Sequence, residues 1–277
     1  MASTAARRIV VTGSTRGIGR GLALELLRRG HDVVISGRSA QAVATAQRDL
    51  LAEAGSGAGR ITGAACDVSD HAQLQGLWDA AQAAFGGVDI WINNAGLSHP
   101  RQRAGEMRAE HIDIVHETNL LGMMLATQVA MRGMTAQPDG GLIYNMEGFG
   151  SNGMTTPGMS LYGASKFALT YFNKALLAET RDSRVRICWL SPGIVITDLL
   201  KRDMGSNDPR DWERTKRVYN ILADRVETVT PYLAEGVLAN ERAGARVAWL
   251  TSRKAAGRFF MSLFRKRQVL TDADFAA

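Results

Sequence analysis

Residues 7–19 read RRIVVTGSTRGIG and set the expectation for the whole chain. The first half is a short run rich in β-branched residues that a glycine ends, which favours a buried strand over a helix. The second half places Gly13, Gly17 and Gly19 where a helix begins, because apolar residues then recur every three or four positions until Gly30. A strand, a glycine-rich turn and a helix in this order predict a dinucleotide phosphate site, since the close backbone and the helix amino terminus favour an anion.

The rest of the chain repeats this alternation. Further strands are predicted at 32–36, 61–68, 88–95, 141–146 and 185–193, with helices between them, the first around 70–85. Strands that alternate with helices imply a parallel sheet covered on both faces. We therefore expect one α/β domain over 1–277, a doubly wound parallel sheet of the Rossmann type. The polar stretch 201–225 is interpreted as a surface insertion, within a substrate-side insertion of about 198–240.

Composition excludes several classes of protein. The chain has 277 residues of which 45% are hydrophobic, which suits a well-buried core. Cys66 and Cys188 lie far apart in apolar contexts and are predicted to be core residues, and the five histidines form no cluster, so no metal site is expected. No signal sequence is evident, and no uncharged stretch approaches the roughly 20 residues of a spanning helix. We expect a reducing, cytoplasmic compartment.

The net charge of +6 is spread along the chain except near its end, so no nucleic-acid partner is expected. In the basic segment of about 252–270, cations interleave with Phe259, Phe260 and Phe264. The favoured interpretation is an amphipathic helix that packs beside the site as a lid or oligomer contact, its aromatics walling a pocket for an apolar substrate. The alternative is a peripheral contact with a membrane surface.

The second strand predicts the choice of dinucleotide. It ends in Ser36-Gly37-Arg38-Ser39, where an NAD site would usually place an acid against the ribose hydroxyls. Arg38, with Arg16 nearby on the glycine turn, can instead hold a ribose 2′-phosphate through charge-assisted hydrogen bonds. The sequence therefore predicts NADP, bound as NADPH.

A candidate catalytic pair lies in the run Tyr162-Gly-Ala-Ser-Lys166. A spacing of four in a helix puts the phenol and the ammonium on one face. A nearby cation favours phenolate, so it brings the tyrosine toward a pKa at which it can exchange a proton near neutral pH.

Six motifs in order resemble the short-chain dehydrogenase/reductase family over nearly the whole chain: TGSTRGIG, CDV at 66–68, NNAG at 93–96, Asn119, YGASK at 162–166 and PGIVIT at 192–197. The resemblance implies that hydride passes between a nicotinamide and a carbonyl or carbinol carbon, with Tyr162 as proton donor or acceptor. It implies that Lys166 binds the nicotinamide ribose and tunes Tyr162, and that Asn119 steadies a water in the proton path. It also implies a homodimer or homotetramer.

The same resemblance implies a cofactor wall, in which Asp67 and Val68 flank the adenine and Thr197 lies near the carboxamide. Its members are Gly13, Ser14, Thr15, Arg16, Gly17, Ile18, Gly19, Arg38, Asp67, Val68, Asn94, Ala95, Gly96, Tyr162, Lys166, Pro192, Gly193 and Thr197.

One family position is missing. Where the family has Asn-Ile-Ser-Ser after the fifth strand, residues 145–151 read NMEGFGS, which puts Gly148 at the position of the serine that polarises the carbonyl. Ser151 is the favoured substitute, with Glu147 and Thr155 as alternatives. Glu147 has a second interpretation, as a loop carboxylate that bonds backbone amides.

The run NMEGFGSNG before TTPG and YGASK, together with WINNAG, Tyr219-Asn220-Ile221 and RVAWLT at 246–251, resembles the chlorophyll(ide) b reductase subgroup. This resemblance implies that NADPH reduces the C7 formyl group of a chlorin to hydroxymethyl, and the partner would be an apolar carbonyl compound. Three alternatives stay open: another large apolar aldehyde or ketone, a steroid, 3-oxoacyl or small alcohol or ketone substrate, and a non-catalytic NADP-binding sensor. His99, just after NNAG, is interpreted as a solvated loop residue.

Overall fold

The computed structural model describes residues 5–203 and 209–270. In these residues the strands are β1 (Arg8–Val11), β2 (Asp32–Gly37), β3 (Ile61–Ala65), β4 (Ile90–Asn93), β5 (Gly141–Met146), β6 (Val185–Ser191), β7 (Val195–Ile196), β8 (Asp224–Arg225) and β9 (Arg246–Ala248). The helices are α1 (Gly17–Arg28), α2 (Ala40–Ala54), α3 (His71–Phe85), α4 (Ala109–His116), α5 (Gly122–Ala136), α6 (Ser160–Glu179), α7 (Asp198–Asp203), α8 (Pro209–Leu222), α9 (Val226–Ala239) and α10 (Ser252–Met261).

The centre of the molecule is a seven-stranded parallel sheet in the order β3-β2-β1-β4-β5-β6-β9. In its middle, Ile9 of β1 pairs with Val33 of β2 on one side and with Ile90 of β4 on the other. The chain winds outward from β1 to β3 and then returns to β4, so a crevice opens between the carboxyl ends of β1 and β4. The predicted doubly wound α/β fold is confirmed.

Helices cover both faces because successive strand residues point to opposite sides. Ile9 and Val11 pack with buried residues of α1, α2 and α9, whereas Val10 packs with those of α3 and α5. Gly21 allows α1 and α9 to approach closely, since a Cβ there would lie 2.5 Å from Cγ1 of Val226. Residues 226–239, placed by the sequence analysis in the substrate-side insertion, therefore form a helix of the core layer.

The ends of the elements follow from local chemistry. Asp70 caps α3 by accepting hydrogen bonds from the N–H groups of Ala72 and Gln73, at 2.8 and 3.2 Å. The polar stretch 201–225 contains a helix that its composition hid: α8 begins at Pro209, a residue that suits the first turn of a helix. Several predicted strands extend two or three residues too far, and those residues form the loops at the edge of the crevice.

Candidate active site

A cleft with a volume of 1710 Å³ opens at the carboxyl ends of the strands. A pocket for one small ligand is typically about 300–1,000 Å³, so this cleft has room for a dinucleotide and a second large molecule. The predicted catalytic and cofactor residues line it, with the exception of Ser14 and Asn119.

The glycine turn brings the backbone to the floor of the cleft. Gly13 and Gly17 have φ angles of +61° and +58°, a region that favours glycine. A Cβ on Gly13 would lie 2.8 Å from Cα of Ala95, so the turn is pressed against the end of β4. Helix α1 begins directly after Arg16, and no side chain caps it. The N–H groups of its first turn are therefore suited to an anion, which fits a pyrophosphate.

Side-chain hydrogen bonds behind the turn fix its shape. Thr12 Oγ1 accepts from the N–H groups of Asn94 and Ala95, both at 3.0 Å, and Asn94 Nδ2 donates to the carbonyl of Thr12 at 2.8 Å. Ser14 is buried, and its hydroxyl donates to the carbonyl of Val11 at 2.6 Å and accepts from the N–H of Ser36 at 2.9 Å. Ser14 thus ties β1 to β2 behind the cleft wall.

Arg16 and Arg38 both line the cofactor end of the cleft, as the sequence predicts. Arg16 Nη1 lies 3.8 Å from the carboxylate of Asp198, and both side chains are exposed. Arg38 forms no ion pair with a described residue. The carboxylate of Asp67 accepts from the N–H and hydroxyl of Ser69, at 3.0 and 2.7 Å. Arg16 on the glycine turn and Arg38 after β2 therefore place two cations at this end of the cleft.

Tyr162 and Lys166 lie together on α6 and are both buried, with Lys166 only 3% exposed. Lys166 Nζ donates to the carbonyl of Met146 at 3.2 Å and lies 5.9 Å from the centre of the Tyr162 ring. Burial lowers the pKa of Lys166 to about 8, although the negative charge of Glu147 opposes the shift. An ammonium beside a buried phenol favours its ionised form, so the pair is suited to proton transfer.

Gly148 lies directly against this pair. A Cβ at Gly148 would be 2.5 Å from the hydroxyl oxygen of Tyr162 and 3.1 Å from Cε of Lys166. The space that a serine side chain would take in the family pattern is thus filled by the phenol.

The three proposed substitutes for the serine are held elsewhere. Ser151 Oγ accepts from the N–H of Gly148 at 3.1 Å and lies 3.5 Å from the carbonyl of Lys166, so it braces the loop. The carboxylate of Glu147 accepts hydrogen bonds from Arg246 Nε, at 2.9 and 3.1 Å, and from Arg246 Nη2, at 2.7 Å, in place of the predicted bonds to backbone amides. Thr155 is exposed and does not line the cleft. Tyr162 is therefore the hydroxyl that the structure places at this point, and a catalytic role of Ser151 stays a prediction.

Asn119 is fully buried in a π-helical turn, Glu117–Leu121. Its Oδ1 accepts from the N–H of Leu97 at 2.9 Å, and its Nδ2 donates to the carbonyl of Leu97 at 2.9 Å and to Ser165 Oγ at 3.2 Å. The Asn119 side chain thus joins the loop after β4 to helix α6, which carries Tyr162 and Lys166. The water in the proton path that the resemblance implies stays a prediction.

The loop after β4 holds residues that sequence reasoning missed. The interpretation of His99 as a solvated residue is wrong, because it is 2% exposed and lines the cleft with Arg101. Its Nδ1 lies 2.7 Å from the carbonyl of Pro100, which can only accept, so Nδ1 donates. The sequence did contain a signal for a role in ligand binding: the loop follows the end of a strand at the switch point of the sheet, where ligands bind in this fold.

The basic terminal segment is anchored by its cations. Arg258 and Arg267 form ion pairs with the buried carboxylate of Asp224, at 2.7 and 2.8 Å. Burial alone would raise the pKa of Asp224, but hydrogen bonds from Arg258, Trp249 and Arg267 hold it below its ordinary value.

The aromatic residues of this segment divide between the cleft and the surface. Phe259 lines the cleft, whereas Phe260 and Phe264 are 62% and 73% exposed, so the predicted aromatic wall holds for Phe259 alone. Within the described residues no helix is long and apolar enough to cross a membrane. A peripheral contact of this segment stays a prediction.

Comparisons with known proteins show the family to which the chain belongs. The family described as short chain dehydrogenase matches residues 7–207. The chain belongs to this family, whose members are oxidoreductases that use a nicotinamide dinucleotide. In a solved structure, the 3-ketoacyl-(acyl-carrier-protein) reductase from Brucella melitensis complexed with NADH, 23% identity accompanies a TM-score of 0.77 over 91% of this chain and 100% of that one. That likeness shows the fold.

Within the family the chain is similar to chlorophyll(ide) b reductases. It is 36% identical over 275 residues to the reductase NOL of Arabidopsis thaliana, which covers 95% of this chain and 76% of that protein. It is 35% identical over 263 residues to the probable reductase NYC1 of Oryza sativa subsp. japonica, 88% of this chain and 50% of that protein. The chain thus spans about half the length of the latter. Human 3-oxoacyl-(acyl-carrier-protein) reductase is 30% identical over 191 residues, 69% of this chain.

These relatives correct one expectation. Two chlorophyll(ide) b reductases and two probable ones that match the chain are chloroplastic proteins. The cytoplasmic location expected from the sequence is therefore wrong.

Proposed function

We propose that this protein is an NADPH-dependent reductase that converts the formyl group of a chlorophyll b-like pigment to hydroxymethyl. The observation that carries the proposal is the extent of similarity: the two plant reductases match 88% and 95% of the chain, and the human 3-oxoacyl reductase 69%. The match to the short chain dehydrogenase family ends at residue 207, before helices α8 and α10, which line the substrate end of the cleft. Similarity to the chlorophyll(ide) b reductases thus includes the part of a protein that selects its substrate.

The cofactor end supports NADPH. Pyrophosphate fits the uncapped start of α1, and Arg16 and Arg38 are suited to a 2′-phosphate because a guanidinium binds phosphate through paired charge-assisted bonds. When bound, the dinucleotide supplies the hydride.

The catalytic pair supplies the proton. The Tyr162 hydroxyl donates to the carbonyl oxygen, and the Lys166 ammonium stabilises the phenolate that remains. Burial holds both groups away from water, which strengthens their interaction.

The absence of a serine at Gly148 supports an aldehyde substrate. A formyl carbon is less crowded and more electrophilic than a ketone carbon, so it needs less polarisation by a second hydroxyl. One donor, Tyr162, then meets the carbonyl oxygen, and its phenol occupies the space beside Gly148 that a serine side chain would take.

The test is NADPH oxidation by the purified protein with a formyl chlorin, alongside small ketones and aldehydes. Turnover of the chlorin, detected as loss of the formyl absorption and formation of the hydroxymethyl product, is the expected result. Turnover of small carbonyls alone would refute the pigment substrate and leave a reductase of the same family. NADPH bound without turnover of any carbonyl would favour the sensor.

The homodimer or homotetramer implied by the family resemblance stays a prediction. Phe167 and Tyr171 on α6 are 56% and 77% exposed, so this apolar face is available for such a contact.

A further inference from the structure

Two buried polar atoms in one loop of the cleft lack a partner. Among the described residues, the buried side-chain atoms without a hydrogen bond are Ser36 Oγ, His99 Nε2 and Arg101 Nε. The last two belong to the loop after β4 and lie two residues apart in the wall of the cleft. Since a buried polar group without a partner costs free energy, a bound molecule that supplies one is favoured there.

The loop that carries them is held in place on three sides. Asn119 binds both backbone groups of Leu97, and the N–H of Gln102 donates to the carbonyl of Gly158 at 3.4 Å. Arg101 Nη2 donates to the hydroxyl of Tyr219 on α8, at 3.1 Å. The guanidinium is therefore positioned by a helix on the substrate side of the cleft.

The Arg101 guanidinium has N–H donors that are not used by the described residues. A guanidinium carries five N–H donors, and Tyr219 is the partner that the described residues offer this one. Arg101 forms no ion pair with a described acid, although Glu106 lines the same cleft. Arg103 and Arg214 line it as well, so the surroundings add positive charge. This arrangement is suited to an anion.

His99 can complete the site. Its Nδ1 donates to the carbonyl of Pro100, so Nε2, which has no partner among the described residues, is the ring nitrogen left for a ligand. Its ring stacks on that of His111, with centroids 6.4 Å apart, which limits its rotation.

We propose that Arg101 and His99 form a subsite for a free carboxylate of the substrate. The proposal rests on the proposed function: chlorin pigments exist as free acids and as esters of the same ring, and this subsite would select the acid. The neighbouring wall is apolar and suits the ring face, with Ile114, Met154, Met159, Val218, Leu222 and Phe259. A cationic subsite beside an apolar wall is suited to a large planar molecule that carries a carboxylate.

The test compares a formyl chlorin free acid with its methyl ester, using NADPH oxidation by the full chain. We expect kcat/KM to be about 10- to 100-fold higher for the acid, the range of one hydrogen bond to a charged group. Arg101→Gln should abolish this preference by raising KM for the acid far more than KM for the ester, and Arg101→Lys should retain part of the preference. Arg132→Gln, an exposed arginine on α5 outside the cleft, is the charge-matched control.

Equal rates for acid and ester in the wild type would overturn the subsite, as would an Arg101→Gln variant that lowers both equally. A binding measurement separates this failure from failure of the proposed function. Chlorins without a formyl group, as acid and ester, are titrated into the protein with NADP⁺ and followed by tryptophan quenching. Selective, Arg101-dependent binding of the acid without turnover of any formyl chlorin would refute the reductase and keep the subsite. Competition by inorganic phosphate but not by acetate would overturn the carboxylate in favour of a phosphate ligand.

Discussion

The two ends of the cleft are built in different ways. At the cofactor end, the shape of the backbone makes the site: positive φ angles at Gly13 and Gly17, and a turn pressed against β4. At the substrate end, side chains join segments far apart in sequence, as Asp224 does with Arg258 and Arg267. One end is therefore fixed by strands of the central sheet, and the other by a few polar contacts between helices and loops.

This difference separates the expected effects of substitution. Changes between the two ends, at the catalytic pair, should affect kcat. Changes at the cofactor end should alter the choice of dinucleotide, and changes at the substrate end should alter KM for the carbonyl compound and the stability of the terminal segment.

Replacing Tyr162 by Phe should have the largest effect. The ring and its packing are kept while the proton donor is lost, so kcat should fall by about 10²- to 10⁴-fold, the usual contribution of a positioned acid. NADPH binding, measured by fluorescence titration, should stay close to wild type, because the dinucleotide phosphates bind at the glycine turn. Tyr171→Phe, on the exposed face of the same helix, is the control. Wild-type turnover in Tyr162→Phe would show that another group is the acid.

Gly148→Ala tests whether a side chain at position 148 is compatible with the position of the Tyr162 hydroxyl. The new Cβ would lie 2.5 Å from the Tyr162 hydroxyl oxygen and must displace it. Misplacement by about 1 Å can reduce a rate by about 10²-fold, so we expect kcat to fall toward that limit with NADPH affinity unchanged. Gly76→Ala is the control, since a Cβ there meets no atom within 4 Å. A rise in activity with Ala or Ser at 148 would mean that the family's side chain fits after all.

The cofactor end could be predicted because its requirements are local. A glycine turn between a strand and a helix needs particular residues at adjacent positions, and these can be recognised without knowing what lies across the cleft. Ser14 is the exception within this run. Its hydroxyl forms hydrogen bonds with β1 and β2, and these contacts depend on how the two strands pair in the sheet.

The substrate end could not be predicted in the same way. The burial of His99 and the contact between Arg101 and Tyr219 depend on loops and a helix more than a hundred residues apart. The composition of α8 did not indicate a helix, because Val218, Tyr219 and Leu222 line the cleft and follow a run of charged residues. A pattern of hydrophobicity reports burial against the core, whereas these residues line a space for a ligand.

Arg38→Asp should change cofactor preference. An acid at this position repels a 2′-phosphate and accepts hydrogen bonds from ribose hydroxyls, so the ratio of kcat/KM for NADPH to that for NADH should fall by about 10- to 100-fold. Arg48→Asp, an exposed arginine on α2, provides the same change of charge away from the cleft. An unchanged ratio in Arg38→Asp, or an equal change in Arg48→Asp, would contradict the phosphate site.

Asp224→Asn should have the smallest effect on rate, because it acts on the anchor of the terminal segment. It leaves Arg258 and Arg267 without their charged partner, so KM for the chlorin should rise several-fold while kcat stays close to wild type. Removing one partner of a buried ion pair typically costs about 3 kcal/mol, and for a chain of this size each 1 kcal/mol lowers Tm by about 2–4 °C. Asp79→Asn, at an exposed site on α3, should leave both quantities unchanged.

The pH dependence of this Tm difference identifies its cause. The folded protein holds the pKa of Asp224 below its ordinary value of 3.8, so the carboxylate contributes stability at higher pH and loses it as pH falls through the folded pKa. Wild type and Asp224→Asn should therefore differ in Tm at pH 7 and converge in acid. An uncharged carboxyl and an amide differ little in size, so packing predicts no difference in acid. A Tm difference that persists unchanged in acid would therefore assign the effect to the hydrogen bond from Trp249. Convergence would show that charge holds the terminal segment against the cleft.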